Sequence, residues 1–242
     1  LHAFNASSGT ETFGYVPSNL IADMTDLTDP NYSHKYYVDQ TPVANDVYIR
    51  PTGTGSSHDW KTVLIGGQGA GGKSYFALDI TDASMTESSG TGKVLWEFNH
   101  ATDLGYTYTP PSIVMTNTEN NGNKRWAAIF GNGYNSQSGI AKLFIVFIDG
   151  GIDGTWTLSS DYVIIDTTAG PTSSLPMNGL GTPRVVDADG NGTADYVYAG
   201  DLHGNMHRFD LTSTNTNSWD FLNIFTAEYL STSTNPQPIT TK

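Results

Sequence analysis

The sequence predicts an all-β protein of the propeller class. Three observations carry that expectation: a strand–turn–strand unit recurs along the chain, the composition favours short strands, and a Gly-to-Trp spacing repeats within the units. Self-similarity along a chain is the signature of a repeat architecture. A β-sandwich also suits many short strands with regular turns, and the repeated Gly-to-Trp spacing favours the propeller.

Charged residues make up 14% of the chain, below the roughly 25% of an average soluble domain. Gly (26 residues) and Tyr (13) are prominent, with Ser, Thr and Asn between the apolar runs. Small polar residues close turns, while aromatic and β-branched residues fill pleated surfaces. At 242 residues the chain can bury one substantial core, and its length does not require a second domain. Residues 1–242 are therefore read as a single propeller domain. Leu1 opens inside a strand-like pattern, so truncation at both ends is expected.

The formal net charge is −13, with only 11 Lys+Arg. Such a surface repels phosphate backbones, which argues against a nucleic-acid partner, and it suits divalent cations and an extracellular setting. The absence of cysteine removes disulfides, thiolate metal sites and a cysteine nucleophile. No apolar run approaches the eighteen or so residues of a membrane span.

The repeat reads as an apolar strand, a Gly-rich turn, a second strand ending near Asp or Asn, then Gly and an aromatic residue. A partial copy holds Leu1-His2-Ala3-Phe4-Asn5-Ala6, Gly9 and Phe13. The next runs Val63-Leu64-Ile65-Gly66-Gly67, Tyr75-Phe76-Ala77-Leu78-Asp79-Ile80, Gly92 and Trp96. The third has Ala127-Ala128-Ile129-Phe130-Gly131, Leu143-Phe144-Ile145-Val146-Phe147-Ile148-Asp149, Gly154 and Trp156. The fourth has Tyr196-Val197-Tyr198-Ala199-Gly200, Met206-His207-Arg208-Phe209-Asp210-Leu211 and Trp219. Before each complete copy stands a Pro-led segment, at Pro42, Pro110-Pro111 and Pro183, that can supply a further strand. With one strand closing near the aromatic, each unit holds four strands, the count of a propeller blade. The chain thus carries about three blades and the last half of an earlier one, within a larger ring for which seven blades is an admissible closure.

One segment departs from the β pattern. Ser18–Thr28 sets Leu20, Ile21, Met24 and Leu27 at helical spacing, with Ser18 as the expected N-cap. This short helix is expected to pack on a blade edge, and the aromatic stretch 32–37 follows it.

The strongest chemical signal is Asp187-Ala188-Asp189-Gly190-Asn191-Gly192-Thr193-Ala194-Asp195. Side-chain oxygens stand at positions one, three, five and nine, with the Thr193 backbone carbonyl at seven. This is the ligand spacing of an EF-hand loop, in which Ca2+ takes six to eight hard oxygens. The candidate ligands are Asp187, Asp189, Asn191, Thr193 and Asp195. Position twelve is Tyr198 where an EF-hand has Glu, so Asp195 is expected to serve directly through both oxygens. Strand-like residues on both sides make the loop a strand-to-strand turn. Without a cation, three carboxylates in nine residues repel one another, and the alternative is an acidic solvated turn.

Other patterns carry less. Residues 67–74 match the phosphate-loop pattern G-x-x-x-x-G-K-S letter for letter. That chemistry needs a helix from Lys73, whereas a strand-like run follows, so a β-turn is expected. His203 and His207 resemble an i,i+4 metal pair. A two-residue turn at Gly204-Asn205 would put them on opposite faces, with Asp201 paired to Arg208. Asp39, Asp46 and Asp103 are read as turn-capping residues.

The stretches Leu1-His2-Ala3-Phe4-Asn5, Phe76-Ala77-Leu78-Asp79 and Phe130-Gly131-Asn132-Gly133-Tyr134-Asn135 resemble the type IV pilus tip proteins of the PilC/PilY family. So do the acidic loop and the run Tyr198-Ala199-Gly200-Asp201-Leu202-His203-Gly204-Asn205, and the similarity reaches from Leu1 to about Leu211. The resemblance implies a modified propeller in the C-terminal half of a large secreted, non-enzymatic protein at the pilus tip or outer membrane. It implies support of pilus assembly, adhesion and twitching, with minor pilus subunits or the pilus tip, and host or abiotic surfaces, as partners. It also implies a calcium loop that controls pilus extension, with ligands Asp187, Asp189, Asn191, Thr193 and Asp195. Asn191 departs from the family's usual Asp and lowers the charge of the loop. Two other functions compete. A quinoprotein dehydrogenase is suggested by Ala3, Asn5, Gly9 and Phe13, and opposed by the absence of cysteine. A glycan-binding propeller is suggested by Trp and Tyr at blade tips.

Overall fold

The computed structural model describes residues 1–50, 57–82, 86, 93–227 and 236–240. Strands β1 (His2–Phe4) and β2 (Glu11–Gly14) form an antiparallel hairpin, the half-blade expected from the first partial repeat. The first complete blade orders β3 (Val43–Ile49), β4 (Asp59–Gly67), β5 (Ser74–Asp79) and β6 (Val94–Asn99). The second holds β7 (Ser112–Asn120), β8 (Asn123–Gly131), β9 (Lys142–Phe147) and β10 (Tyr162–Asp166). The third is built from β11 (Arg184–Val186), β13 (Tyr196–Gly200), β14 (Asn205–Asp210) and β15 (Asp220–Thr226). A two-residue strand, β12 (Thr193–Ala194), leaves the third blade and adds in parallel to β7, so the second sheet has five strands.

The Pro-led segments open β3, β7 and β11, each antiparallel to the strand that the repeat pattern placed next. Proline has no N–H for a ladder, so it stands before the strand and not within it. The fourth strands fall at different distances from the repeated tryptophans. Trp96 lies within β6, Trp219 stands just before β15, and Trp156 precedes β10 by a turn. Gly92 of the repeat lies outside the described residues.

Both faces of the middle blade are covered, which explains why β9 reads as an unbroken apolar run. Phe144, Val146 and Ile148 pack with Val63, Ile65, Tyr75 and Phe98 of the first blade. The alternate residues Leu143, Ile145 and Phe147 pack with Val197, Ala199 and Phe209 of the third. Period-two alternation along the strand therefore feeds two separate interblade cores. Phe98 is fully buried and meets Trp156 and Tyr162 edge-on at 4.8 and 5.2 Å between centroids. Such pairs add about 0.5–1.5 kcal/mol each beyond the area they bury.

The same turn position is stapled in every blade. Gln68, Asn132 and Asp201 each follow a glycine at the end of β4, β8 and β13, and all three are fully buried. Gln68 exchanges hydrogen bonds with Asn19. The Asn132 amide donates to the carbonyls of Asp103 and Ile140. Asp201 accepts from Asn178 and Asn205. A buried polar group must find partners, and these bind each turn to an incoming segment.

Ser18–Thr28 is helical, as the spacing predicts, but it is a 3₁₀ helix. With three residues per turn, Ile21, Met24 and Leu27 stack along one edge. Ile21 and Leu27 are exposed, and only Leu20 of the apolar set is buried. The N-cap position is Pro17, not Ser18. The Ser18 N–H and hydroxyl both donate to the Glu97 carboxylate of β6, the N–H at 2.8 Å. An acid remote in sequence therefore does the work assigned to a local cap, and it also accepts from the Tyr15 hydroxyl at 2.6 Å. Burial, followed by the hydrogen bond and negative charge of Glu97, pushes the Tyr15 phenol far above its ordinary value.

Candidate metal centre

Loop 187–195 joins β11 to β13, which pair antiparallel with Val186 opposite Tyr196, so it is the strand-to-strand turn that the sequence predicts. Gly190 and Gly192 have φ of +78° and +89°. These left-handed values let the chain fold back on itself, and a side chain at either position would be strained. The Asp187 carboxylate collects the result. Its Oδ1 accepts from the N–H groups of Gly190 (2.8 Å) and Asn191 (3.2 Å), and its Oδ2 from Gly192 (2.8 Å). Those amides, that of Gly192 foremost, hold the Asp187 carboxyl below its ordinary value.

Asp189 and Asp195 complete the acidic set. Asp189 is exposed and accepts from the Asn191 N–H (3.1 Å) and side-chain amide (2.9 Å). Asp195 is buried, with Oδ2 accepting from the Ala188 N–H at 2.8 Å and Oδ1 from the Asn117 amide at 3.3 Å. One ligand oxygen from each of Asp187, Asp189 and Asp195 lies within 4.8 Å of the others. Oxygens bound to one Ca2+ at about 2.3–2.6 Å lie no more than about 5 Å apart. The donor set is hard and anionic, so the three carboxylates fit a calcium ion.

The other two sequence candidates stand differently. Asn191 presents its amide nitrogen to Asp189, while its Oδ1 accepts from the Thr193 N–H at 2.8 Å and from the Thr193 hydroxyl. Thr193 is buried in β12, in register with Met115 of β7. Asn117, whose side chain reaches Ala194, Asp195 and Leu211 from the second blade, is not among the residues the sequence singled out. Asn117 lies in the polar second half of β7, Thr116-Asn117-Thr118-Glu119-Asn120, where nothing distinguishes it from its neighbours.

The remaining patterns resolve as structural features. Residues 67–74 form the turn between β4 and β5, and a strand begins at Ser74 where a phosphate loop would need a helix. Lys73 donates to the Asn135 carbonyl and lies 5.2 Å over the Tyr106 ring. His203 and His207 are held apart. His203 Nε2 lies 2.8 Å from the Pro176 carbonyl and His207 Nε2 lies 3.0 Å from Asp201 Oδ2.

The predicted two-residue hairpin at Gly204-Asn205 does not form. The ladder sets Tyr198 opposite Arg208 and Gly200 opposite Met206. The Asp201 N–H donates to the Asn205 carbonyl at 3.0 Å, so the turn is Leu202-His203-Gly204 and Asp201 stands opposite Asn205, away from Arg208. Its Oδ1 also accepts from the N–H groups of His203 and Asn205. Burial alone would raise the Asp201 carboxyl, but hydrogen bonds from His207, Asn205 and Asn178 outweigh it and hold the group low.

Asp39 caps, as expected, but for a distant turn: its Oδ1 accepts from the Ala70 N–H at 2.8 Å. Asp46 lies in β3 and accepts from the Thr62 hydroxyl, and Asp103 pairs with Lys142 at 2.8 Å.

A family model described as the PilY1 beta-propeller domain matches residues 1–227. The type IV pilus biogenesis factor PilY1 homolog of Xylella fastidiosa (strain Temecula1) is 42% identical over 221 residues, covering 90% of this chain and 14% of that protein. The type IV pilus biogenesis factor PilY1 of Pseudomonas aeruginosa (strain UCBPP-PA14) is 36% identical over 222 residues, 90% of this chain and 17% of that one. The chain therefore spans about a sixth or less of the length of these relatives. The crystal structure of the Pseudomonas aeruginosa PilY1 C-terminal domain superposes with a TM-score of 0.71 at 32% identity, covering 99% of this chain and 46% of that one.

Proposed function

This chain belongs to the family of PilY1 β-propeller domains, and from that premise we propose that it is a calcium-binding, non-catalytic module of a type IV pilus biogenesis factor. In this reading it acts outside the cell, at the pilus tip or outer membrane. It supports pilus assembly and extension, with adhesion or twitching as the outcome. Minor pilus subunits are the proposed partners, and a host or abiotic surface the proposed substrate of adhesion. Among the described residues, no helix is long and apolar enough to cross a membrane.

The observation that supports the calcium reading is the convergence of Asp187, Asp189 and Asp195 within 4.8 Å on a loop whose glycines curl it around them. A bound calcium would supply charge neutralisation there. The chain's own part is to hold Asp187 through three backbone amides and to hold Asp195 in the interior, so that two of the three carboxylates are positioned before any cation arrives.

Thermal unfolding with excess calcium and with chelator tests the proposal. A ligand at about a hundred times its dissociation constant adds about 2.7 kcal/mol of stability. The parent is expected to gain melting temperature with calcium, and Asp189→Ala to lose that gain while folding normally. Equal melting of the parent in both conditions would remove calcium from the proposal. The pilus role is tested separately, by twitching of cells whose pilus factor carries Asp189→Ala.

A further inference from the structure

The loop is bonded to the neighbouring blade more closely than a surface turn requires. We infer that Asn117 and the Thr193 hydroxyl couple calcium binding in loop 187–195 to the contact between the second and third blades. The inference rests on the calcium reading and names how that site is regulated.

Asn117 sits in a bulge of β7. Met115 pairs with Trp126 and Glu119 with Lys124, so three residues on β7 answer one on β8. On the other edge of β7, away from β8, β12 adds with Thr193 opposite Met115 and Ala194 opposite Thr116. Lys124 Nζ donates to the Asn117 carbonyl at 2.9 Å and fixes the backbone there. The side chain, in a buried residue, then spans the blades. Its amide nitrogen lies 3.2 Å from the carbonyls of Ala194 and Leu211 and 3.3 Å from Asp195 Oδ1. Only the nitrogen can serve those two carbonyls, which settles the orientation of the amide.

The amide oxygen of Asn117 accepts from the Thr193 hydroxyl at 2.8 Å. That hydroxyl has one proton and two acceptors in reach, Asn117 Oδ1 and Asn191 Oδ1. Asn191 is itself a candidate ligand. A cation that draws on Asn191 Oδ1 leaves the Thr193 proton to Asn117 alone, and a cation on Asp195 fixes the carboxylate that Asn117 also touches. Both effects act on the same buried amide, so the loop and the interblade contact tighten together. Groups that orient metal ligands commonly carry this kind of coupling.

Hydrogen exchange on this chain, with calcium and with chelator, reads the coupling directly. In the parent, calcium is expected to slow exchange in loop 187–195 and also in residues 113–118 of the second blade. Thr193→Val keeps the shape and the backbone carbonyl but removes the proton. It should retain protection of the loop and lose the calcium-dependent protection of 113–118. Asn117→Leu should do the same, with calcium affinity weaker by about 10–100-fold. Wild-type affinity and undiminished protection of 113–118 in both variants would overturn the coupling and leave the calcium reading standing. A parent whose exchange ignores calcium everywhere would overturn both. Thr193→Val carries the test if Asn117→Leu does not fold.

Discussion

Two loops of this molecule match well-known ligand-binding patterns, 67–74 letter for letter and 187–195 through its ninth position, and their glycines are used in opposite ways. In 67–74 the glycines serve the packing of the protein itself. A Cβ on Gly71 would fall on the Tyr37 carbonyl, and the lysine that should meet a phosphate is engaged by Asn135 and Tyr106. In 187–195 the glycines lie in open or nearly open space and turn three carboxylates toward one another. The lesson concerns donor atoms. The acidic loop leaves three carboxylates convergent, whereas packing engages the lysine and the glycines of 67–74.

The largest expected effect separates the packing loop from a ligand loop. Gly71→Ala should cost about 3 kcal/mol or more, because the added methyl meets backbone that cannot swing aside. Denaturant unfolding would read this as a lowered midpoint, and a near-neutral result would break the packing explanation.

The next effect sharpens the contrast inside the acidic loop. Asp195→Ala removes a buried carboxylate that accepts from the Ala188 N–H and the Asn117 amide, and should cost about 2–3 kcal/mol even in chelator. Asp189→Ala, at an exposed position, should cost less than about 0.5 kcal/mol. Equal losses in chelator would show that burial does not distinguish the two.

Asp201 closes the β13–β14 turn in the place that Gln68 holds in 67–74, so it compares one turn across two blades. Its carboxyl is held below the ordinary value near 3.9. A carboxylate with a depressed folded value contributes stability that is complete above the unfolded value and lost as pH falls through the folded one. Asp201→Asn should therefore cost on the order of 2 kcal/mol near neutrality. It should also flatten the loss of stability below about pH 4. Unfolding curves across pH would show an unchanged acid limb if Asp201 were not a contributor.

Within 67–74 a smaller effect than that of Gly71→Ala is expected of Lys73→Ala, which gives up a cation–π contact and one hydrogen bond. It should cost about 0.5–1 kcal/mol. ATP with Mg2+ should leave the melting of the parent unmoved, and a stabilising shift would restore the nucleotide reading of 67–74.

Much of the fold was legible because its signals are local. The apolar runs at Val63, Ala127 and Tyr196 became β4, β8 and β13, and the Pro-led segments became β3, β7 and β11. What escaped depends on partners distant in sequence. The cap of Ser18–Thr28 comes from Glu97, the length of the β13–β14 turn from the contacts of Asp201, and β12 from an edge on β7. The convergence of Asp187, Asp189 and Asp195 was readable from spacing, since all three lie on one short loop. Asn117 was not, because nothing in its own neighbourhood shows what it touches.

Calorimetric titration of calcium into the parent and into an Asp187→Ala/Asp189→Ala double variant tests the central claim most directly. The account predicts one site per chain in the parent and none in the variant. Binding of equal strength and stoichiometry in both, or no binding by the parent at millimolar calcium, would contradict it.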